Sequence, residues 1–210
     1  MKAELITTMG SDLTVVNSAR VSFDKHIDEF RNEDEKLLKY LADHNHWTPF
    51  AHPQLQFRIS APIFVARQLV KHQIGLVWNE VSRRYVDTVP RFFIPEIWRE
   101  RAKNKKQGSG TEVVNLSNEE DESILNFHKE ALDLYSKLLL KNVAPEQARM
   151  LLPQSMYTEW YWTGSLFAFS RVYKLRTSDD AQMETRELVK SMGYQIKKFF
   201  PISWKYLTPG

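Results

Sequence analysis

Between Leu55 and Leu69 the hydrophobic period of the chain changes from two to about 3.6, with Pro62 at the change. Leu55, Phe57 and Ile59 alternate with Gln56 and Arg58, the pattern of a strand with one face buried. After Pro62, whose fixed φ suits the start of a helix, Ile63, Val65, Ala66, Leu69 and Val70 make a broad apolar helical surface. Gln68, Lys71 and His72 fall at i, i+3 and i+4 and share another side. A strand leading directly into a helix, each with a face to bury, is satisfied by helices laid over a sheet. The expected fold is α/β, a mixed sheet covered by helices, with a helical C-terminal half.

The rest of the chain can be read against that unit. Its 210 residues, 42% hydrophobic, are enough to bury a core, and neither an internal repeat nor a linker is visible, so residues 1–210 are expected to form one domain. A short extended segment from Leu5 to Gly10 precedes Ser11 or Asp12, either of which can cap a helix through Val15, Val16 and Ala19. Asn32 with Glu35 has capping-box character before a helix ending near His44, and His46 to Phe50 reads as a loop. Arg99 to Thr111 is rich in Lys and Arg with little to bury, and is expected to be a solvated, flexible loop. Ser117 with Glu120 opens a helix running to about Lys141, and Pro145 opens a short one that Pro153 stops. Further helices are expected from Thr158 to Lys174 and, capped by Asp179 or Asp180, through Met183, Leu188, Met192 and Ile196 to just before Pro201.

Composition removes several chemistries. The chain has 0 Cys, which excludes disulfides, thiolate metal sites and any cysteine nucleophile. A net charge of +3 is a mild excess, compatible with an anionic small molecule and far from a dense nucleic-acid-binding face. The longest stretch without a polar side chain is Ala61 to Ala66, so no membrane association and a cytoplasmic location are expected. His44, His46 and His52 have no acidic or thiol companions, and no metal site is expected.

The densest mixture of polar chemistry runs from Lys71 to Tyr85: cations, His72, Gln73, Asn79, Glu80, Ser82, Arg83 and Arg84. Cations beside amide and hydroxyl donors are what a phosphate and a hydrogen-bonding heterocycle require, although a charged stretch is also common on an ordinary solvated surface. Asn79-Glu80-Val81-Ser82-Arg83-Arg84-Tyr85 resembles the Asn-Glu-x-Ser-x-Arg-Tyr string of the flavin-dependent thymidylate synthases. The preceding Arg-His-Arg of that family is here Lys71-His72-Gln73, and eight residues rather than seven separate Gln73 from Ser82. Met9 to Leu13, Ala19 to Ser22, His46 to His52, Ala61 to Gln68, Ala148 to Pro153, Leu175-Arg176 and Ala181-Gln182 are also similar to the family, in its order.

The resemblance implies conversion of dUMP to dTMP, with methylenetetrahydrofolate as carbon donor and FAD reduced by NADPH, in a homotetramer whose sites are shared between subunits. The absence of cysteine agrees, because the other class of thymidylate synthase adds a thiolate to the uracil ring. By position, Arg176 corresponds to the arginine that polarises the pyrimidine, and is the implied catalytic residue. Gln68, Lys71, Glu80, Ser82, Arg83, Arg84 and Arg149 join it as implied substrate-binding residues. Ser22, Thr48, Lys71, His72, Gln73, Glu80, Ser165, Phe167 and Arg171 match positions at or near the flavin. Guanidinium suits phosphate or developing negative charge because it stays charged and offers its donors in a planar fork. Lys71 and Gln73 remove two such forks, and Arg171 is positioned to restore one charge. Two rival readings remain: hydroxymethyl transfer to a pyrimidine nucleotide on the same scaffold, and a non-enzymatic nucleic-acid-binding module using the basic Arg99 to Lys106 segment.

Overall fold

The computed structural model describes residues 1–86, 88–103 and 108–209. Strand β1 (Lys2–Met9) leads through Gly10 into α1 (Asp12–Arg20), with Ser11 at its N-cap, and then into α2 (Asn32–Asp43). A 3₁₀ turn over Thr48–Ala51 precedes β2 (Gln54–Pro62), which runs straight into α3 (Ile63–Leu69). After β3 (Leu76–Glu80) come β4 (Trp98–Arg101) and β5 (Ser109–Val114), the long α4 (Asn118–Leu140) and the short α5 (Pro145–Ala148). Strand β6 (Tyr157–Ser165) then passes directly into α6 (Leu166–Arg176), followed by α7 (Met183–Phe199) and α8 (Pro201–Leu207). Among the described residues no helix is long and apolar enough to cross a membrane.

The α/β architecture is as expected, with helices over a sheet and a predominantly helical C-terminal half. The four-stranded sheet has the order β1-β2-β6-β3, and its pairings, expected to be mixed, are antiparallel throughout. At its centre β2 and β6 are in register from Gln54 opposite Ser165 to Pro62 opposite Tyr157. Leu55, Phe57, Ile59 and Ala61 face the core from one strand, and Thr158, Trp160, Trp162 and Gly164 from the other. Phe169 of α6 meets both, its ring 5.3 Å from Phe57 and 5.3 Å from Trp162. Trp160 stacks on Trp78 of the edge strand at 4.3 Å. Gly164 is required where Leu76 and the Gly75 carbonyl crowd β6, since a Cβ there would overlap both.

The sequence contains no visible repeat, yet the structure has one. Strands β2 and β6 share the same order of buried and open positions, and each is continued by a helix. The first N–H of α3, on Ile63, donates to the Met156 carbonyl at 2.9 Å; that of α6, on Leu166, donates to the Pro53 carbonyl at 3.0 Å. Each helix is thus started by the residue just before the other unit's strand, which satisfies a helix-end donor that would otherwise lack a partner.

Several local expectations are corrected. The helix expected from Thr158 to Lys174 is a strand as far as Ser165 and a helix only beyond it. Thr158, Trp160, Trp162 and Gly164 alternate about the sheet, and Ser165 caps α6 by accepting the Ala168 N–H at 3.1 Å. The expected loop from Arg99 to Thr111 carries strands β4 and β5, which pair antiparallel; the part from 104 to 107 lies outside the described residues. What the loop reading lacked was a partner: Arg99 pairs with the buried Glu184 at the start of α7 and donates to Ser109 at 2.8 Å. Leu76 to Glu80 is an edge strand. Helix α2 is capped one residue earlier than Asn32, with Asp34 accepting the Arg31 N–H at 2.8 Å, and α7 is preceded by Gln182, not capped by Asp179 or Asp180.

Candidate active site

Strand β6 separates two cavities. One, of about 720 Å³, lies at its start, beside the C-terminal end of β3; the other, of about 420 Å³, lies at its far end beside Gly75. Eight residue steps of strand, from Tyr157 to Ser165, put the two ends roughly 26 Å apart.

The larger cavity is lined by Glu80, Arg83, Arg91, Arg149, Tyr157 and Thr158, among others. Glu80 is held at its mouth by two donors, the Thr158 hydroxyl at 2.7 Å and the Trp78 indole N–H at 3.2 Å. Arg83 reaches the Thr88 carbonyl, and Arg91 lies over the Tyr157 ring at 5.1 Å. Arg149, on the 3₁₀ turn after α5, is exposed, and its guanidinium has no partner among the described residues. Glu159 also lines the cavity, but its charge is matched by Arg58, whose Nε donates to it at 2.8 Å. Glu146 lines it too, and neither it nor Glu80 has an ion pair among the described residues, so three arginines against these two carboxylates leave a mildly cationic lining, in which the Arg149 guanidinium suits a phosphate.

The smaller cavity is lined by Trp47, Gln54, Gly75, Ser165, Phe167 and Arg171, with Ile74 and Ala168. The Trp47 and Phe167 rings lie 5.8 Å apart and form an aromatic wall. Gly75 adopts φ +75, and a Cβ there would sit 3.3 Å from that of Ala168, so glycine both makes the turn and permits the close approach. The result is a flat apolar slot with a cation at its edge.

A third cluster lies at the end of α6. Arg176 Nε donates to His72 Nε2 at 2.9 Å, and Arg176 Nη2 donates to the Gln68 carbonyl at 2.9 Å. The Gln68 side chain is itself fixed, donating to Gln182 at 2.6 Å and accepting from the Thr185 hydroxyl at 3.2 Å. Burial, with the charges of Arg176 and Arg171, pushes the His72 imidazole down to about 4, so it is neutral near physiological pH.

Of the residues expected at a site, Glu80, Arg83 and Arg149 share the larger cavity, Ser165, Phe167 and Arg171 the smaller, and Gln68, His72 and Arg176 the third cluster. Helix α3 ends at Leu69, so Lys71 and His72 do not continue the helical face of Gln68 as expected; the chain turns, and only His72 rejoins it at Arg176. Lys71 and Gln73 are exposed and line neither cavity. Ser82 accepts from Arg84 Nε at 3.1 Å, and Arg84 lies over the Tyr85 ring at 5.1 Å, outside both cavities. Ser22 and Thr48 are exposed and also line neither. Sequence reading missed Arg91 and Thr158 in the larger cavity and Trp47 and Gln54 in the smaller. Trp47, inside the matching stretch from His46 to His52, was the only one of these with a signal.

The sequence model of the family described as thymidylate synthase complementing protein matches residues 4–202. The chain belongs to that family. Its members among curated proteins include a flavin-dependent thymidylate synthase of Thermus thermophilus, 38% identical over 200 residues, covering 95% of this chain and 73% of that protein. One of Thermosipho melanesiensis is 36% identical over 197 residues, covering 93% of this chain and 83% of that protein. Among solved structures, a UMP/dUMP methylase, PolB of Streptomyces cacaoi, bound with 5-Br dUMP, superposes with a TM-score of 0.86 at 28% identity, covering 99% of this chain and 94% of that one. The family match spans all three clusters, from Gln68 to Arg176.

Proposed function

We propose that this protein is a flavin-dependent thymidylate synthase that methylates dUMP to dTMP, with methylenetetrahydrofolate as carbon donor and NADPH as reductant of bound FAD. The observation that carries the reading is the pairing of a cation-lined cavity with an aromatic slot on one scaffold that has no thiol. Arg149, with Arg83 beside it, binds the nucleotide phosphate, and Arg84 and Ser82 extend that donor set on the same loop. Glu80, oriented by Thr158 and Trp78, accepts from the nucleotide. Arg176 presents its guanidinium to the pyrimidine oxygens, where negative charge develops as the ring is activated. Gln68 fixes that guanidinium through its carbonyl.

The residues of the smaller cavity fit an isoalloxazine ring. Trp47 and Phe167 give it flat apolar walls, Ser165 and Gln54 offer polar edges, and Arg171 offers a charge to an anionic tail. A reduced flavin supplies the hydride that a route without a cysteine adduct requires. Thr48, Ser22, Lys71 and Gln73 are the further flavin-side positions in this reading.

A homotetramer belongs to the proposal. Helix α4 buries only Tyr135 of its 23 residues, leaving Leu125, Phe127 and Leu134 exposed, which is the state of a helix with an uncovered apolar surface.

The test is direct. The purified protein should be yellow, should release FAD on denaturation, and should form dTMP from dUMP, methylenetetrahydrofolate and NADPH. A protein that binds no flavin even with dUMP present, or that yields a hydroxymethylated nucleotide, would overturn the reading. UMP belongs in the same assay, because the neighbour PolB is named for both nucleotides.

A further inference from the structure

The guanidinium of Arg176 has five N–H donors in a rigid plane. Two of them point into the protein along one edge, Nε to His72 Nε2 at 2.9 Å and Nη2 to the Gln68 carbonyl at 2.9 Å. Three remain: both hydrogens of Nη1 and the second of Nη2, and one from each nitrogen forms the end-on fork of the group. Because arginine is always a donor, the imidazole must accept at Nε2, and its own proton must reside on Nδ1. The second support is anchored as well, since Gln68 is tied by its side chain to Gln182 and Thr185 across the α3–α7 seam.

We propose that His72 is a positioning residue for Arg176: as a neutral acceptor it holds the Nε edge of the guanidinium and leaves the end-on fork for the nucleotide. This rests on the reading that Arg176 faces the pyrimidine, and it gives His72 a task distinct from contact with the flavin. Burial and the charges of Arg176 and Arg171 keep the imidazole in its accepting form across the physiological range. If His72 were protonated, Nε2 would become a donor facing a donor, and the clamp would open. The mechanism needs an uncharged acceptor at this point. A carboxylate would neutralise the guanidinium that the developing charge requires.

The experiment compares His72→Phe, His72→Gln and Arg176→Ala in the full-length protein loaded with FAD. His72→Phe removes the acceptor and keeps a ring; His72→Gln supplies an amide oxygen near the position of Nε2. The inference expects His72→Phe to lower kcat by about 10²-fold, the scale of a small misplacement of a reacting group, with FAD affinity unchanged. It expects His72→Gln to recover most of that loss. A second readout is independent of turnover: imidazole nitrogen NMR near neutral pH should show Nδ1 protonated and Nε2 bare. Loss of FAD from His72→Phe, an Nε2–H tautomer, or failure of His72→Gln to do better than His72→Phe would each overturn the positioning role. Arg176→Ala separates the two levels. If it leaves dUMP affinity and turnover intact, the placement of Arg176 at the pyrimidine fails; if it abolishes turnover while His72→Phe is harmless, only the role of His72 fails.

Discussion

The unit β2–α3 and the unit β6–α6 follow one plan and end in opposite roles. Each has a nine-residue strand with the same burial order, and each starts its helix on a carbonyl just before the other's strand. They differ at the junction, where Pro62 has no side-chain cap to offer and Ser165 accepts the Ala168 N–H. They also differ in length. Helix α3 stops after seven residues and leaves the Gln68 carbonyl and, a turn later, His72 as acceptors; α6 continues for eleven and delivers Arg171 and Arg176. The candidate catalytic cluster is therefore a seam: one unit supplies acceptors, the other the cation they hold. A near-symmetrical scaffold becomes an asymmetric site through the way each helix ends.

The strongest way to break this comparison is in the core. Trp160→Ala removes a buried indole stacked on Trp78 and should cost about 4 kcal/mol, with Phe57→Ala on the other strand costing a similar amount, by urea denaturation. Unequal losses would show that the two units do not share the core evenly. Arg176→Ala should lower single-turnover formation of dTMP by about 10²- to 10³-fold, and Arg176→Lys should not restore it, because an ammonium cannot serve His72, Gln68 and a ligand from one plane. Gly75→Ala should destabilise by about 1–2 kcal/mol, the cost of a side chain at positive φ, and, with the flavin in the proposed place, should weaken its binding because the turn borders the smaller cavity.

Ser165→Ala should cost about 1 kcal/mol through the lost cap, whereas Pro62→Ala should cost less because no side-chain cap exists there to lose. The difference in denaturation midpoint between the two variants measures the asymmetry of the junctions. A further test is pH dependence. His72 titrates near 4 when folded and near 6.5 when unfolded, so between those values the unfolded chain binds the extra proton. Its contribution is complete above about 6.5, declines as pH falls and is gone below about 4. His72→Phe should flatten that part of the stability profile, and an unchanged slope would show that His72 is not held neutral.

Much of the scaffold was legible where burial and local chemistry agree. Leu55, Phe57 and Ile59 have polar neighbours facing solvent, so their period was clear, and Ser11 and Ser117 cap helices through bonds to residues three positions on. Strand β6 has the same burial order but resembles a helix in sequence, because Tyr161 places an aromatic on the open face between two buried tryptophans and hides the alternation. Strand β3 was hidden for a related reason: Val77 is apolar and exposed, and the polar run after it resembled a loop. The β4–β5 hairpin was invisible because Arg99 finds Glu184, its compensating charge, 85 residues away.

By itself the sequence determined which chemistries were open. It contains no thiol, it has the Asn79 to Tyr85 string and an arginine at 176, and it changes period at Pro62. Those properties belong to composition and near neighbours, which a linear chain displays directly. Only the tertiary structure decided that His72 would face Arg176, that Gln68 would lend its carbonyl while its side chain bonds α7, and that Glu80 would be oriented by Thr158. The physical reason is range: those contacts join residues 78 to 117 positions apart, and a hydrogen bond a few ångströms long joins them only in a fold that pairs β2 with β6.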